Sequence, residues 1–305
     1  MLTGNSTPLT RLREGDEEDG FVTSPSELEL VREEVTSFID EAVASANRTG
    51  AVVAMSGGID STLTAALAVD ALGSDRVLGL GLPCRKLDAA HAMDARTLAD
   101  GLGIEYREVN LRPLLDAFED TVAPEISTNG TKRAVGNVVA RLRMICAYYA
   151  ANARSLLVIG TGNRSELLLG YFTKYGDGGA DLYPIGDLYK TEVRALAREV
   201  GLPRRIINKE PTPGLWAGQT DHDDLGASYE TIDAVLRRVI DGGERVATAA
   251  NELGVDGETA REIAARYVDT VHKRGVPPTP GLMDDGTGDS AYPLHLLGSG
   301  AGTDR

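Results

Sequence analysis

The sequence predicts an α/β fold: a doubly wound, mainly parallel sheet with helices on both faces. Three observations predict it. Short apolar stretches at 51–55, 76–82 and 156–159 have the length and composition of buried parallel strands, and 104–109 reads as a further strand. Segments with helical spacing alternate with them along the chain. The first run opens into Ser56-Gly57-Gly58-Ile59-Asp60-Ser61, a strand-to-helix turn that presents backbone N–H groups to an anion.

The elements follow in order. Residues 1–24 are polar and acidic, with Gly-Asp-Glu-Glu-Asp-Gly at 15–20, and are expected to be a mobile tail ahead of one α/β domain over 25–275. Ser24 or Ser26 caps a helix on which Leu28, Leu30, Val31, Val35, Phe38 and Ile39 recur with mostly helical spacing. Ala51 to Met55 is the first strand, and Asp60 to Leu72 the helix after the glycine turn. Arg76 to Leu82 is a second strand, His91 to Leu102 a second helix and Ile104 to Val109 a third strand. Lys132 to Asn152 is a long helix with an apolar stripe of Val135, Val138, Val139, Leu142, Ile145, Cys146 and Tyr149. At ~100° per residue, Arg141 and Arg143 fall on opposite borders of that stripe and serve different partners. Leu156 to Ile159 adds a further strand, and helices follow at Thr191–Val200 and Tyr229–Ile240. The Pro-, Gly- and Asp-rich stretch 276–305 is expected to be an irregular tail. Loops around 121–132 and 208–224 are expected to order when substrate binds.

Composition narrows the classes. With 305 residues and 42% hydrophobic content, the chain can bury a real core. No apolar run approaches bilayer length, and the N-terminus lacks the basic-then-apolar pattern of a signal peptide. Cys84 and Cys146 make neither a metal cluster nor a disulfide framework, so the chain reads as cytoplasmic. Asn-x-Ser/Thr triplets at Asn47, Asn129 and Asn163 are then chance matches. A net charge of −15 argues against nucleic acid or an anionic membrane as partner. An enzyme of polyanionic substrates must therefore gather its cations locally. Lysine occurs only at Lys86, Lys132, Lys174, Lys190, Lys209 and Lys273, and acidic excess with so little lysine resembles proteins of a salt-rich cytoplasm.

The glycine turn carries the first chemistry. Gly57 and Gly58 let the backbone approach an anion, and Ser56 and Ser61 add hydroxyl donors. Asp60 cannot bind phosphate itself, so its natural role is to hold Mg²⁺. No Gly-Lys-Ser/Thr follows, so this is not a Walker loop, nor is it a dinucleotide fingerprint. Ser-Gly-Gly-x-Asp-Ser resembles instead the signature of ATP pyrophosphatases, the adenine nucleotide alpha-hydrolase-like enzymes that cleave ATP between its α and β phosphates. Further on, Gly160-Thr161-Gly162-Asn163-Arg164-Ser165-Glu166 and the stretch from Gly170 to Asp181 are too rich in glycine and charge for a core and suit a site that closes over a polyanion.

Here the resemblance narrows to ammonia-dependent NAD synthetases. That family carries Gly-Thr-…-Glu followed by Phe-Thr-Lys-x-Gly-Asp-Gly-x-x-Asp, matched at Gly160–Glu166 and Phe172–Asp181. Leu188-Tyr189-Lys190-Thr191, Pro211-Thr212 with Leu215, the run from Leu225 to Asp233 and His272-Lys273-Arg274 match as well, over roughly 26–280. The resemblance implies ATP binding by Ser56, Gly57, Gly58, Ile59, Asp60, Ser61, Arg85, Thr161, Lys190 and Thr212. It implies Mg²⁺ on Asp60 and Glu166, and nicotinic acid adenine dinucleotide on Arg141, Lys174, Asp181, His272 and Lys273. Arg141 is preferred to Arg143 for its family spacing to Thr161. The implied reaction is adenylation of the nicotinate carboxylate by ATP, then attack by ammonia to give NAD, AMP and pyrophosphate, with Asp177 a candidate base. A homodimer is implied. Glutamine-using relatives carry a large nitrilase-like domain for which the chain has no room, so free ammonia is the expected donor; a separate glutaminase partner is not indicated. The rivals are a GMP synthetase-like or tRNA-modifying enzyme, and a nucleotide-binding regulator without catalysis.

Overall fold

A computed structural model describes residues 20–280, apart from 86–87, 128–129, 213–217 and 279. Two compact units are distinguished, Met1–Arg274 and Gly275–Arg305; the first carries all that follows, and the expected tail at 276–305 lies almost wholly outside the described residues. Four strands, β1 (Gly50–Ala54), β2 (Val77–Gly81), β3 (Glu105–Glu108) and β4 (Leu156–Ile159), pair in parallel in the order β3-β2-β1-β4. Val52 of β1 lies opposite Leu78 on one side and Val158 on the other. These are the four strands read from the sequence, with ends that differ by a residue or so.

The helices of the first half are α1 (Pro25–Ser45), α2 (Ile59–Leu72), α3 (Asp88–Leu102), α4 (Arg112–Thr121), α5 (Ala123–Ile126) and α6 (Lys132–Arg154). The second half adds α7 (Arg164–Leu169), α8 (Lys190–Glu199), α9 (Arg204–Ile207), α10 (Asp221–Leu225), α11 (Tyr229–Leu236), α12 (Val246–Leu253), α13 (Gly257–Asp269) and α14 (Val271–Arg274). A π-helical turn, Arg237–Asp241, prolongs α11. The sheet buries both faces, as its alternation requires. Ala51 and Val53 enter one core with Ile39 of α1, Leu63 and Leu67 of α2, Leu98 of α3 and Leu196 of α8. Val52, Leu78, Leu80 and Val158 enter a second with Leu115 of α4 and Val139, Ala147 and Ala151 of α6. Ile39, Leu63, Leu67 and Leu196 have no exposed surface, which stabilises the fold by ~2 kcal/mol for each side chain. A third cluster, around Leu169, Tyr189, Tyr229, Ile232 and Ile263, packs α7, α11 and α13 together.

Four expectations change. Residues 20–24, expected as the end of a mobile tail, are packed: Val22 is buried, its N–H donates to Glu192 Oε1 at 3.1 Å, and Phe21 meets Tyr189 edge-on at 5.6 Å. The apolar pair after the acidic run has a core to enter; residues 1–19 lie outside the described ones. On α6 the buried face is Gly136, Val139, Ala147 and Ala151, whereas Ile145 and Tyr149 are 64% and 75% exposed. Small residues let the helix approach the sheet closely, Val135, Val138, Leu142 and Cys146 of the expected stripe pack beside them half-buried, and only Ile145 and Tyr149 turn away. On α1, Leu30 and Phe38 are likewise exposed, while Leu28, Val31, Val35 and Ile39 are buried. Within the expected loops, Ala123–Ile126 and Asp221–Leu225 are short helices.

One close approach fixes a residue type at the sheet edge. A Cβ on Gly81 would stand 1.8 Å from the Tyr106 hydroxyl, so glycine on β2 makes room for the β3 ring to cross it in this position. Among the described residues no helix is long and apolar enough to cross a membrane.

Candidate active site

From β1 the chain crosses to β2 on one side, and later returns to place β4 on the other. The gap between the carboxyl ends of β1 and β4 is therefore the topological switch point, where open α/β sheets bind ligands. Both motif loops lie there. After β1, Gly57 adopts φ 72°, and a Cβ on it would meet the His91 carbonyl oxygen at 2.4 Å, so only glycine serves. Ser61 Oγ lies 3.1 Å from Ser56 Oγ and accepts the Ser56 N–H at 3.2 Å, which folds the turn back on α2. No side chain caps α2 at Gly58, leaving its first-turn N–H groups for an anion.

After β4, Asn163 starts α7 with a reciprocal cap. Its Oδ1 accepts the Glu166 N–H at 3.0 Å, and Glu166 Oε2 accepts the Asn163 N–H at 3.3 Å. The Asn163 amide also donates to Asp60 Oδ1 at 2.9 Å, joining the two loops. Lys190, 2% exposed, donates from Nζ to Asp60 Oδ2 at 2.5 Å and to Glu166 Oε1 at 3.4 Å. Its ammonium also lies 5.1 Å from the Tyr229 ring centre. Burial alone would lower the Lys190 pKa, but the carboxylates of Asp60 and Glu166 outweigh it and hold it above the ordinary value. Burial lifts the Glu166 carboxyl well above the usual range, Asp60 and Asp221 adding to the rise and Lys190 opposing it. Asp221, also raised by burial, accepts the Tyr229 hydroxyl at 2.7 Å.

Three carboxyl groups share one ammonium. A pair of hard oxygen donors in that setting fits Mg²⁺. Among the described residues no group of three or more His, Cys, Asp or Glu forms a closed metal site, so a dication on Asp60 and Glu166 would take its remaining ligands from phosphate and water.

These groups open into a cavity of about 530 Å³. Ser56, Gly58, Ile59, Asp60, Ser61, Thr161, Glu166, Lys190 and Thr212 line it, as do Asp177 and Lys273. Gly57 turns its carbonyl oxygen to Lys209 Nζ at 3.2 Å, and Arg85 does not line the cavity. Asp177 accepts the Thr173 N–H at 3.0 Å; burial raises its pKa, and Arg143 and Lys273 partly offset the rise. Lys273 donates to the carbonyl oxygens of Gly170 and Phe172 at 2.7 and 2.8 Å. Arg141, Lys174, Asp181 and His272 stand outside the lining. Arg141 Nη2 donates to the Lys174 carbonyl at 3.2 Å, and Lys174 Nζ to that of His272 at 2.5 Å, so these three form one external cluster. Asp181 is tied to the sheet edge, accepting the Val158 N–H at 2.8 Å and the Tyr148 hydroxyl at 2.9 Å.

The sequence reading passed over several groups at this site. Asn163 couples the two loops, and its signal was the Asn-x-x-Glu cap spacing. Lys209 reaches both Gly57 O and Asp94 Oδ2 (2.8 Å) from a distant segment, a pairing without a local signal. Arg143, set aside in favour of Arg141, lines the cavity and donates to the Leu82 carbonyl at 3.1 Å. Asp221 and Tyr229 arrive from α10 and α11.

The NAD synthase family model matches residues 31–277. An NH(3)-dependent NAD(+) synthetase of Methanosarcina mazei is 46% identical over 257 residues, 84% of this chain and 99% of that protein. Among solved structures, an NMN synthetase of Francisella tularensis matches with TM-score 0.71 and 31% identity, covering 85% of this chain and 99% of that one. An NH3-dependent NAD synthetase of Campylobacter jejuni, solved with nitrate, matches with TM-score 0.69 and 32% identity over 83% and 98%. With a family match over most of its length, relatives at this identity and the same sheet, the chain belongs to the NAD synthase family.

Proposed function

We propose that this chain joins ammonia to the carboxylate of nicotinic acid adenine dinucleotide, using ATP and releasing AMP and pyrophosphate. The carrying observation is the junction of Asp60, Glu166 and Lys190 beside the Ser56–Ser61 turn, at the switch point of a family member. Coverage of 99% of an ammonia-dependent relative supports ammonia as donor.

In this reading the uncapped N–H groups of α2 and the hydroxyls of Ser56 and Ser61 hold the β and γ phosphates. Bound Mg²⁺, held by Asp60 and Glu166, would neutralise charge on the polyphosphate. Lys190 supplies an ammonium that cannot drift, because Tyr229 and two carboxylates confine it. Thr161 and Thr212 contact ATP from the cavity wall. A nicotinate carboxylate oxygen attacks the α-phosphorus and pyrophosphate leaves; ammonia then attacks the acyl carbon and AMP leaves. Asp177, buried with a raised pKa, accepts the proton that nitrogen sheds. Lys273 faces the dinucleotide within the cavity. Arg141, Lys174 and His272 serve its far end outside.

The same reading makes the protein a cytoplasmic homodimer. Ile145 and Tyr149 on α6 give an exposed apolar face for a second copy. The acidic excess suits a salt-rich cytoplasm.

One assay decides the function. The purified chain with ATP, Mg²⁺, ammonium and nicotinic acid adenine dinucleotide should release AMP and form NAD in equal amounts. Turnover only with nicotinic acid mononucleotide, xanthosine monophosphate or tRNA would reassign the acceptor, and no turnover with any would leave a binding protein.

A further inference from the structure

Glu166 and Lys190 stand in the first turns of two helices, and α7, which carries Glu166, has only 6 residues. So short a helix cannot hold its own direction. Buried polar links between the neighbours of these two residues do so. Ser165 Oγ accepts the Lys190 backbone N–H at 2.9 Å and donates to Asp233 Oδ1 at 2.5 Å. The other Asp233 oxygen accepts the Thr191 N–H at 2.9 Å. Asp233 and Ser165 have no exposed surface, and neither lines the cavity.

Packing does not ask for a carboxylate here. Asp233 sits on α11 among Ile232, Val235 and Leu236, all fully buried, and an apolar side chain there would avoid desolvating a charge. Its carboxylate is held instead at the positive N-terminal turn of α8 by the Thr191 N–H, and reaches the first turn of α7 through the Ser165 hydroxyl. One helical turn earlier, Tyr229 places its ring beside the Lys190 ammonium. A single face of α11 thus grips Lys190 from both ends, side chain and backbone.

We propose that Asp233 and Ser165 are positioning residues that set the separation of Glu166 and Lys190 for adenylation. This rests on the roles given to Glu166 and Lys190 above. Removing the Ser165 hydroxyl frees the Lys190 N–H and one Asp233 oxygen but leaves the cavity wall unchanged. ATP still binds, while the ammonium meets the reacting phosphate off register.

The test uses the full chain as wild type, Ser165→Ala, Asp233→Asn and the double variant, followed by NAD formation and ATP–pyrophosphate exchange. Each single variant should lower kcat about 10–100-fold with the ATP KM within about threefold, and the double should be no worse than the weaker single. Wild-type kcat in Ser165→Ala, with or without a lower melting temperature, overturns the positioning role whether or not Asp233→Asn folds. A rise in ATP KM with kcat unchanged also overturns it. Absence of NAD formation by the wild-type chain instead removes the functional reading, and this inference with it.

Discussion

Asp177 is a carboxylate in a cavity wall, raised by burial and faced by two cations that oppose the rise. Burial of this kind makes the carboxylate a better proton acceptor than an exposed aspartate. Asp177→Asn is expected to lower NAD formation about 100-fold and to leave ATP–pyrophosphate exchange within a few-fold of wild type. Equal loss of both activities would move Asp177 out of the ammonia step. At this scale local motifs led from the sequence to Asp60, Thr161, Glu166, Lys190 and Thr212, which line one cavity, but also to Lys174, Asp181 and His272, which stand outside it. It was not legible where two distant segments meet. Lys209 contacts Gly57 across 152 positions, and no spacing rule reaches that far. Arg141 and Arg143 were rightly separated by helix geometry, since one reaches Lys174 and the other Leu82. Which of them faces the cavity depends on how α6 is rolled against the sheet, which spacing alone does not specify.

That roll is decided at the scale of the element. The α6 stripe was read by apolar size, and Val139 with Val135, Val138, Leu142 and Cys146 does meet the core, but the closest approach runs through Gly136, Ala147 and Ala151, where small side chains are favoured. Ile145 and Tyr149 are thereby left outward, and Ile145→Asp is expected to convert a dimer to monomer in sedimentation velocity without lowering the melting temperature of the monomer. An unchanged sedimentation coefficient would place any dimer contact elsewhere. The strands, by contrast, were legible almost to the residue, since a strand covered on both faces has to be apolar throughout. Edge strand β3 is the exception, and it is held from outside: Glu105 accepts two hydrogen bonds from Arg154 of α6 at 2.8 and 3.0 Å and one from Arg107 at 2.8 Å. The Arg154 and Arg107 guanidiniums hold the Glu105 pKa down at about 2. A lowered carboxyl pKa stabilises the fold above the unfolded value of ~4.3 and loses that effect as pH falls toward the folded value. Glu105 is 41% exposed, so solvent screening leaves about 1 kcal/mol at most. Glu105→Gln should therefore lower the urea midpoint at pH 7, and the gap should narrow below pH ~4. A gap independent of pH would assign the effect to packing.

Over the whole molecule 46 acidic residues outnumber 31 basic ones. Among the described residues lining the cavity the two are equal, since Arg133, Arg143, Lys190, Lys209, Arg266 and Lys273 face Asp60, Glu166, Asp177, Glu210, Asp221 and Asp224. The excess of acid is therefore spread over the rest of the chain, where self-repulsion opposes compactness and added salt relieves it. The melting temperature is expected to climb from dilute buffer to molar KCl, and a flat profile would remove the salt-rich host. Overall composition showed the excess but not its distribution, because the cations of the cavity come from segments scattered between 133 and 273. A neutral mouth inside a negative body also governs diffusional encounter. The substrates are anions approaching a like-charged target, so their capture should be hindered at low ionic strength and quicken as screening lengthens the list of productive approaches. An enzyme that draws its substrates in by charge slows under added salt; this one should accelerate, and its kcat/KM for ATP plotted against ionic strength would rise before it levels.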